Sequence, residues 1–285
     1  MGLLSGLAQF GLGDLENMKV YEEAEKAEKE EADKPAAKTV REQEFLFDKS
    51  CSCPVCGRDF KTRTVRTGRV RLNGSDQDLR PRYEPVDALK YDVIMCPLCG
   101  YAAVSRFFQG VTPQQVKNIR DMICIHFTFR EEQKEVYTYD EALERYRLAL
   151  ANAVVKRAKA GEKAYICLKT AWVLRGKAEH LEKSLPDYEE QKKQCASEEN
   201  EFLRNAMDGF MAARQSETPP ICGLDQSTVD YLIAVTALRF EEYELTARMV
   251  SAILQSAANQ RMKDRARELK KVVLAKLKEE KTAPE

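Results

Sequence analysis

The sequence lacks a net charge, and it lacks any apolar run long enough to cross a bilayer. Its 285 residues include 46 Lys and Arg residues and 46 Asp and Glu residues, so no overall electrostatic field favours nucleic acid or an anionic membrane. No segment approaches the roughly 18 apolar residues of a membrane span. The first residues, MGLLSGLAQFGLG, lack the basic start of a secretory signal, and Gly6 stands where a myristoylation motif requires Ser or Thr. We therefore expect a cytoplasmic protein without a membrane span.

Catalytic motifs are also missing. The chain has only two histidines, His126 and His180, and neither has the spacing of a metal ligand or of a catalytic triad. There is no Gly-x-Ser-x-Gly, no phosphate-binding Gly-Lys-Ser/Thr loop and no His-Glu-x-x-His. The sequence therefore names no catalytic residue and favours a protein that is not an enzyme.

Glycine and proline are sparse, with 13 and 10 residues, and 32% of residues are charged, which is typical of a helix-rich globular protein. The nine cysteines do not resemble a disulfide framework, because four of them form two Cys-x-x-Cys pairs and the others are scattered. This usage favours an intracellular protein with one metal site.

The N-terminal segment predicts a surface-binding helix on a charged tether. Residues 1–20 carry apolar side chains at helical spacing, while residues 21–44 are charged and have no apolar periodicity. We interpret 1–20 as an amphipathic docking segment for a partner protein and 21–44 as a linker; the alternative is a helix that folds back on its own domain. The candidate partner-binding residues are Leu3, Leu4, Leu7 and Phe10.

Residues 45–110 contain the phrase Cys-Pro-x-Cys-Gly twice, among short β-prone segments. A Cys-x-x-Cys turn lets two thiolates bind one ion, and two such turns supply the four sulfurs of a closed tetrahedral shell. Gly57 and Gly100 stand where the backbone must curl over the ion, and Pro54 and Pro97 stiffen the turns. We predict a zinc-ribbon-like module with a structural Zn²⁺, and iron is a less favoured alternative. The predicted ligands are Cys53, Cys56, Cys96 and Cys99.

Cys51 is an ambiguous thiol, because it lies two residues before Cys53 in an alternating phrase. A spare ligand, a reactive thiol and an exposed thiol without a role all fit that position.

A basic stretch follows the first of these turns. If KTRTVRTGRVRL formed a strand, Arg69 and Arg71 would share one face and Val70 and Leu72 the other. Basic hairpins of zinc ribbons can contact phosphates, so nucleic-acid binding is the alternative function. The other interpretation is a solvated outer face whose charge is neutralised by nearby acidic residues. The candidate nucleic-acid-binding residues are Arg63, Arg66, Arg69 and Arg71.

Residues 111–285 predict helices joined by short turns. Thr112 with Gln115, and Thr138 with Glu141, have the spacing of capping boxes that open helices. Residues 231–254 resemble one tetratricopeptide unit, although Glu241 replaces the usual Gly. We therefore expect a mostly α-helical protein of stacked antiparallel helical hairpins with a small β-containing module; an ordinary helical bundle is the alternative.

The phrases CPVCGRDF, RTGRVRL, YDVIMCPLCGYAA and YLIAVTALRFEEYELTA, in that order, resemble a bacterial family catalogued as domain of unknown function 2225 and found largely in Firmicutes. The resemblance covers roughly residues 45–257. It implies a cytoplasmic protein with a zinc-ribbon-like head, a helical tail and no established activity. It implies the same four cysteine ligands, and Cys51 is extra to the pattern. The resemblance supports this architecture and leaves the function open, while the residues favour a non-enzymatic adaptor protein that binds an unidentified protein partner.

Overall fold

The first half of the described chain contains three antiparallel two-stranded hairpins. The computed structural model describes residues 41–129 and 135–282, with side chains as far as residue 278. The predicted docking residues Leu3, Leu4, Leu7 and Phe10 lie outside the described residues. The strands are β1 (Leu46–Ser52) and β2 (Asp59–Val65), β3 (Arg71–Ser75) and β4 (Pro81–Glu84), and β5 (Val93–Met95) and β6 (Ala102–Val104).

Helices dominate the remainder, which confirms the predicted fold class of stacked helical hairpins with a small β-containing part. α1 (Pro113–Ile119) continues into a π-helical turn (Arg120–Cys124). Six longer helices follow: α2 (Tyr139–Val155), α3 (Ala160–Glu179), α4 (Tyr188–Ser216), α5 (Gln226–Arg239), α6 (Tyr243–Gln255) and α7 (Gln260–Thr282). In the described part of the chain, none of the helices has the length and apolar character that crossing a membrane requires.

The two predicted capping boxes are present. The Thr112 hydroxyl accepts a hydrogen bond from the Gln115 backbone N–H, and the Thr138 hydroxyl accepts one from that of Glu141. In return, the Gln115 and Glu141 side chains accept hydrogen bonds from the backbone N–H groups of the two threonines, at 3.0 and 2.9 Å. Each box satisfies N–H groups that a helix start leaves unpaired, so both helices begin where the sequence predicts.

α5 and α6 form the hairpin that resembles a tetratricopeptide unit. Ala234 and Ala237 of α5 have no exposed surface, and the Thr246 hydroxyl of α6 donates to the Ala234 carbonyl at 3.3 Å. Glu241 in the turn has a φ of 62°, in the left-handed region that favours glycine. The tetratricopeptide repeat usually has Gly at the position of Glu241. Glu241 nevertheless adopts the left-handed backbone conformation that Gly would adopt there.

The helices and the third hairpin share one hydrophobic core. Val93 and Val104 of the β5–β6 hairpin are buried in the same cluster as Tyr146 and Ala149 of α2. The Tyr146 hydroxyl also donates to the Leu89 carbonyl at 3.0 Å. The predicted boundary between 45–110 and 111–285 stays a prediction, and the β5–β6 hairpin packs across it.

The β3–β4 hairpin contacts the helices through charged side chains of its turn. Asp78, which is 8% exposed, accepts hydrogen bonds from the Trp172 indole at 3.0 Å and from Arg175 at 2.7 Å. Arg80 binds Glu179 of α3 at 3.0 Å. Burial opposes the charge of Asp76, but hydrogen bonds from Arg82 and Arg175 outweigh it and lower the pKa of Asp76. The segment between the two cysteine pairs thus attaches to α3.

Candidate metal centre

Each Cys-Pro-x-Cys-Gly phrase forms the tip of a hairpin. Ser52 pairs with Asp59 at the end of the β1–β2 ladder, and Met95 pairs with Ala102 at the end of the β5–β6 ladder. We call residues 53–58 the first knuckle and residues 96–101 the second knuckle. Both close with the same bonds: the first Cys N–H donates to the carbonyl five residues later, at 3.0 and 2.8 Å, and its carbonyl accepts from the Gly N–H, at 2.8 and 3.0 Å.

The two knuckle glycines are required by the backbone. Gly57 has a φ of 73° and Gly100 a φ of 75°, a region that side chains with a Cβ rarely adopt. A Cβ on Gly57 would have no neighbour within 4 Å, whereas one on Gly100 would lie 2.4 Å from the Phe127 ring. Gly57 is therefore needed for its φ alone, and Gly100 for its φ and for the space under Phe127.

The two hairpin tips bring together the thiols of Cys53, Cys56, Cys96 and Cys99, which we call the four-thiol cluster. All four Sγ atoms lie within 4.8 Å of one another. Cys53 and Cys99 have their sulfurs 3.6 Å apart, and Cys56 and Cys96 have theirs 3.8 Å apart. A tetrahedral ion with metal–sulfur bonds of about 2.3 Å places its sulfurs roughly 3.8 Å apart. The cluster has the size and the donor set that could hold one such metal ion.

The four-thiol cluster is embedded in apolar side chains. Cys53, Cys96 and Cys99 are buried, and Cys56 is half-buried. Phe60 and Tyr101 each contact Phe108 in an aromatic group at 6.0 and 5.0 Å between ring centroids. The buried apolar neighbours are Val55, Phe60, Ile94, Tyr101, Ala103, Phe108 and Ile119. Such surroundings shield three of the four sulfurs from water and leave only Cys56 partly accessible.

Hydrogen bonds between the sulfurs shift the pKa values of three of the four thiols. The hydrogen bond with Cys96 raises the pKa of Cys53, while the hydrogen bond with Cys53 lowers the pKa of Cys96. The hydrogen bond with Cys53 also raises the pKa of Cys99. Thiolates this close repel one another, so complete deprotonation of the cluster needs a bound cation.

Two arginines flank the first knuckle. Arg58 donates to the Leu98 carbonyl of the second knuckle at 3.0 Å, and its hydrogen bond with Cys56 raises the pKa of Arg58. Arg120, in the π-helical turn, donates from Nε to the Val55 carbonyl at 3.0 Å. A divalent ion with four thiolates carries a net charge of −2, and these two guanidinium groups lie where they can offset it.

The second knuckle is held by α2. Asn152, which has no exposed surface, donates from Nδ2 to the Gly100 carbonyl at 3.0 Å and to the Leu148 carbonyl at 2.9 Å. Neither Asn152 nor Arg120 was predicted to support the site. Both lie on helices distant in sequence, in segments without a motif, and only the fold brings them to the knuckles.

Two further thiols lie near the cluster without belonging to it. Cys51 is partly buried opposite Phe60 in the β1–β2 ladder. Cys124 ends the π-helical turn, and burial raises the pKa of its thiol while a hydrogen bond with Cys99 opposes this rise. The sequence pattern did not single out Cys124, because it stands alone in an apolar phrase.

Three of the four predicted nucleic-acid-binding arginines contact acceptors in β1 or just before it. Arg63 binds Asp48 at 3.2 Å, Arg66 donates to the Leu46 carbonyl at 3.1 Å, and Arg69 donates to the Glu44 carbonyl at 3.4 Å. Arg69 lies in the turn before β3, so it shares no strand with Arg71. Leu72, expected on the opposite face of such a strand, is 60% exposed. Arg63 and Arg66 therefore contact β1, and Arg69 contacts the turn before it, while nucleic-acid binding by the four arginines stays a prediction.

Comparison with known proteins identifies a family but no characterised relative. Residues 46–273 match the model of a family described as uncharacterized protein conserved in bacteria (DUF2225). No curated protein and no solved structure matches the chain. Since the match covers most of the sequence, this chain belongs to that bacterial family, as its cysteine phrases predict.

Proposed function

We propose that this member of the family is a non-enzymatic interaction protein, an adaptor, built around a structural zinc ion in the four-thiol cluster. The observation that carries the proposal is the convergence of four thiols at tetrahedral spacing in an apolar environment. Four protein sulfurs complete a tetrahedral shell, and a complete shell is structural because it leaves no position for water or substrate. All nine cysteines are free thiols, which supports a reducing compartment such as the cytoplasm.

An exposed apolar patch beside the cluster supports the interaction role. Met122, Ile125 and Phe129 are 63%, 69% and 59% exposed, and Met122 and Ile125 directly flank Ile123 and Cys124, which pack against the cluster. Large apolar side chains grouped on a surface are typical of sites that bind another protein. The fitting partner is a protein segment with an apolar face. The metal would hold this patch in place by fixing the turn from which it projects.

The metal half of the proposal is tested by elemental analysis of the purified protein. We expect one zinc per chain, and we expect Cys96→Ser to abolish stoichiometric zinc while Cys167→Ser, at a buried cysteine outside the cluster, retains it. A wild-type protein without bound metal would contradict the proposal. If the protein contained one iron per chain instead, the site would still be structural, but its ion would be iron.

The interaction half is tested by quantitative cross-linking in cells of a bacterium that encodes this chain. We expect the triple variant Met122→Ser, Ile125→Ser, Phe129→Ser to lose a specific partner that the wild type retains. Val154→Ser is the matched control, because Val154 is an apolar residue of α2 that is 57% exposed. Equal capture by the triple variant would reject this surface. Salt-dependent binding of random DNA or RNA would instead favour the nucleic-acid alternative.

A further inference from the structure

A cleft separates the β1–β2 hairpin from α3 and the segments that precede and follow the β5–β6 hairpin. One part of this cleft has a volume of about 240 Å³, and an adjoining part has a volume of about 440 Å³. Lys49, Asp92, Ser105 and Lys169 line both parts, so the two form one continuous depression. This size suits a small molecule and is too small for a folded partner.

Four of the five charged residues that line the cleft are cationic, and two of these cations are paired, Arg63 with Asp48 and Lys169 with Asp92. Arg63, Arg106, Lys49 and Lys169 contribute positive charges, and Asp92 is the acidic residue among the lining residues. Lys49 makes no ion pair with any residue of the described chain. Arg106 donates to the Cys222 carbonyl and stacks on Tyr165 at 5.1 Å, so its charge is not neutralised by either partner. A cleft of this composition favours an anion.

Lys169 is held inside the cleft by its neighbours. Its side chain is 12% exposed and forms an ion pair with Asp92, which also accepts a hydrogen bond from the Ser105 hydroxyl at 2.6 Å. Burial acts to lower the pKa of Lys169, but the Asp92 carboxylate outweighs burial and the pKa is raised. Lys169 therefore keeps its positive charge, in a defined position on the floor of the cleft.

The wall formed by the β1–β2 hairpin contains a buried hydroxyl that has no partner. Thr62 is 2% exposed, and its Oγ1 has no hydrogen-bond partner among the described residues. Thr62 pairs with Lys49 across the ladder, so the two side chains lie on the same face of the hairpin. Leaving a buried hydroxyl unsatisfied has a cost in folding free energy. A ligand oxygen that accepts a hydrogen bond from the Thr62 hydroxyl would remove that cost. The unpaired hydroxyl is therefore consistent with a ligand at this wall.

We propose that this cleft binds a small phosphate-bearing molecule, with Lys49, Lys169 and Thr62 as the principal contacts. Several cations and hydroxyl donors around one depression match the several acceptor oxygens of a phosphate better than the two oxygens of a carboxylate. Of the four arginines predicted to bind nucleic acid, only Arg63 lines this cleft. The proposed ligand is accordingly a small molecule, and the site does not depend on which ion occupies the four-thiol cluster.

The proposal is tested by isothermal titration of the full-length, metal-containing protein at low ionic strength. The probes are inorganic phosphate, pyrophosphate, citrate as a polycarboxylate and a short oligothymidylate. We expect saturable binding of pyrophosphate and phosphate at one site, and weaker binding of citrate. Lys49→Gln should weaken pyrophosphate binding roughly tenfold, because a hydrogen bond to a charged group contributes about 1.5 kcal/mol or more.

Two variants separate a built site from general charge attraction. Lys61→Gln also removes one positive charge from the β1–β2 hairpin, but Lys61 does not line the cleft. We therefore expect this variant to bind pyrophosphate with the affinity of the wild type. Thr62→Val removes the hydroxyl and keeps the shape, so the free protein should melt at or above the wild-type temperature while pyrophosphate affinity falls several-fold. Absent binding at millimolar pyrophosphate, equal loss in Lys61→Gln, or binding of oligothymidylate alone would each overturn the proposal.

Discussion

The two knuckles have the same sequence phrase and the same turn, yet they sit in different surroundings. Gly100 of the second knuckle lies under Phe127, and its carbonyl is bound by the buried Asn152 of α2. Gly57 of the first knuckle faces open space, and the Val55 carbonyl is bound by Arg120, an exposed residue. Both knuckles thus contribute to one apolar cluster around the sulfurs, and the second knuckle is in addition bonded to α2.

This difference indicates how the proposed metal stabilises the protein. The strands β5 and β6 belong to the core that includes α2, so the second knuckle has a support other than the ion. The first knuckle packs on the second through the apolar cluster that includes Val55, and it is bonded to it through contacts such as that from Arg58 to the Leu98 carbonyl, but it has no such bond to α2 among those described. A metal ion would therefore contribute most to the β1–β2 hairpin, which it connects to an already folded partner.

The largest expected effect follows from removing the metal. Chelation under reducing conditions should release the β1–β2 hairpin, because binding at a structural zinc site is worth on the order of 10 kcal/mol. Hydrogen–deuterium exchange should show lost protection in residues 46–65 and retained protection in α5 and α6. Equal loss of protection in both regions would show that the ion supports the whole fold and that the comparison between the knuckles is wrong.

The second prediction compares the two knuckle glycines. Gly57→Ala should lower the free energy of unfolding by about 1–2 kcal/mol, since it places a Cβ at a positive φ and meets no neighbour. Gly100→Ala should lower it by about 2–4 kcal/mol, because its Cβ also displaces the Phe127 ring. Denaturant unfolding of the metal-containing variants measures both values. Equal losses would mean that Phe127 moves aside without cost.

The third prediction concerns the support of the second knuckle. Asn152→Ala should lower the free energy of unfolding by about 1–3 kcal/mol, because it leaves the buried Gly100 carbonyl without this donor. Asn118→Ala is the control, since Asn118 is only half-buried and its bond to the Val155 carbonyl is long, at 3.4 Å. Thermal unfolding measures the stability lost by each variant, and we expect Asn152→Ala to lose more than Asn118→Ala. A larger loss of stability in Asn118→Ala would contradict the prediction.

The smallest expected effect concerns the support of the first knuckle. Arg120→Met should lower the free energy of unfolding by up to about 1.5 kcal/mol, because its bond to the Val55 carbonyl lies near solvent, which can replace it. It should also speed metal release to a chelator, measured with a chromogenic indicator, since a positive charge near the thiolates is lost. Lys117→Met, on the same helical segment, should leave the release rate unchanged.

The parts of the fold and of the site that depend on residues close together in the sequence could be predicted. The capping boxes of Thr112 and Thr138 mark helix starts because their bonds span three residues. Likewise, each knuckle is a local turn, so its cysteines and glycines could be named from spacing alone. The sequence left open whether one strand runs through Arg69 and Arg71. The chain instead turns between Arg66 and Val70, where it bonds to the distant carbonyls of Glu44 and Phe45.

The sequence by itself determined the two knuckles, the helical character of the chain and its family, since these are properties of short phrases and their periodicity. Only the tertiary structure decided that the knuckles meet, that Asn152 and Arg120 support them, and that Lys49 faces Lys169 across a cleft. The physical reason is that each of these contacts joins residues separated by tens of positions. The proximity of these residues depends on how the hairpins pack on the helices. A local sequence pattern does not specify that packing.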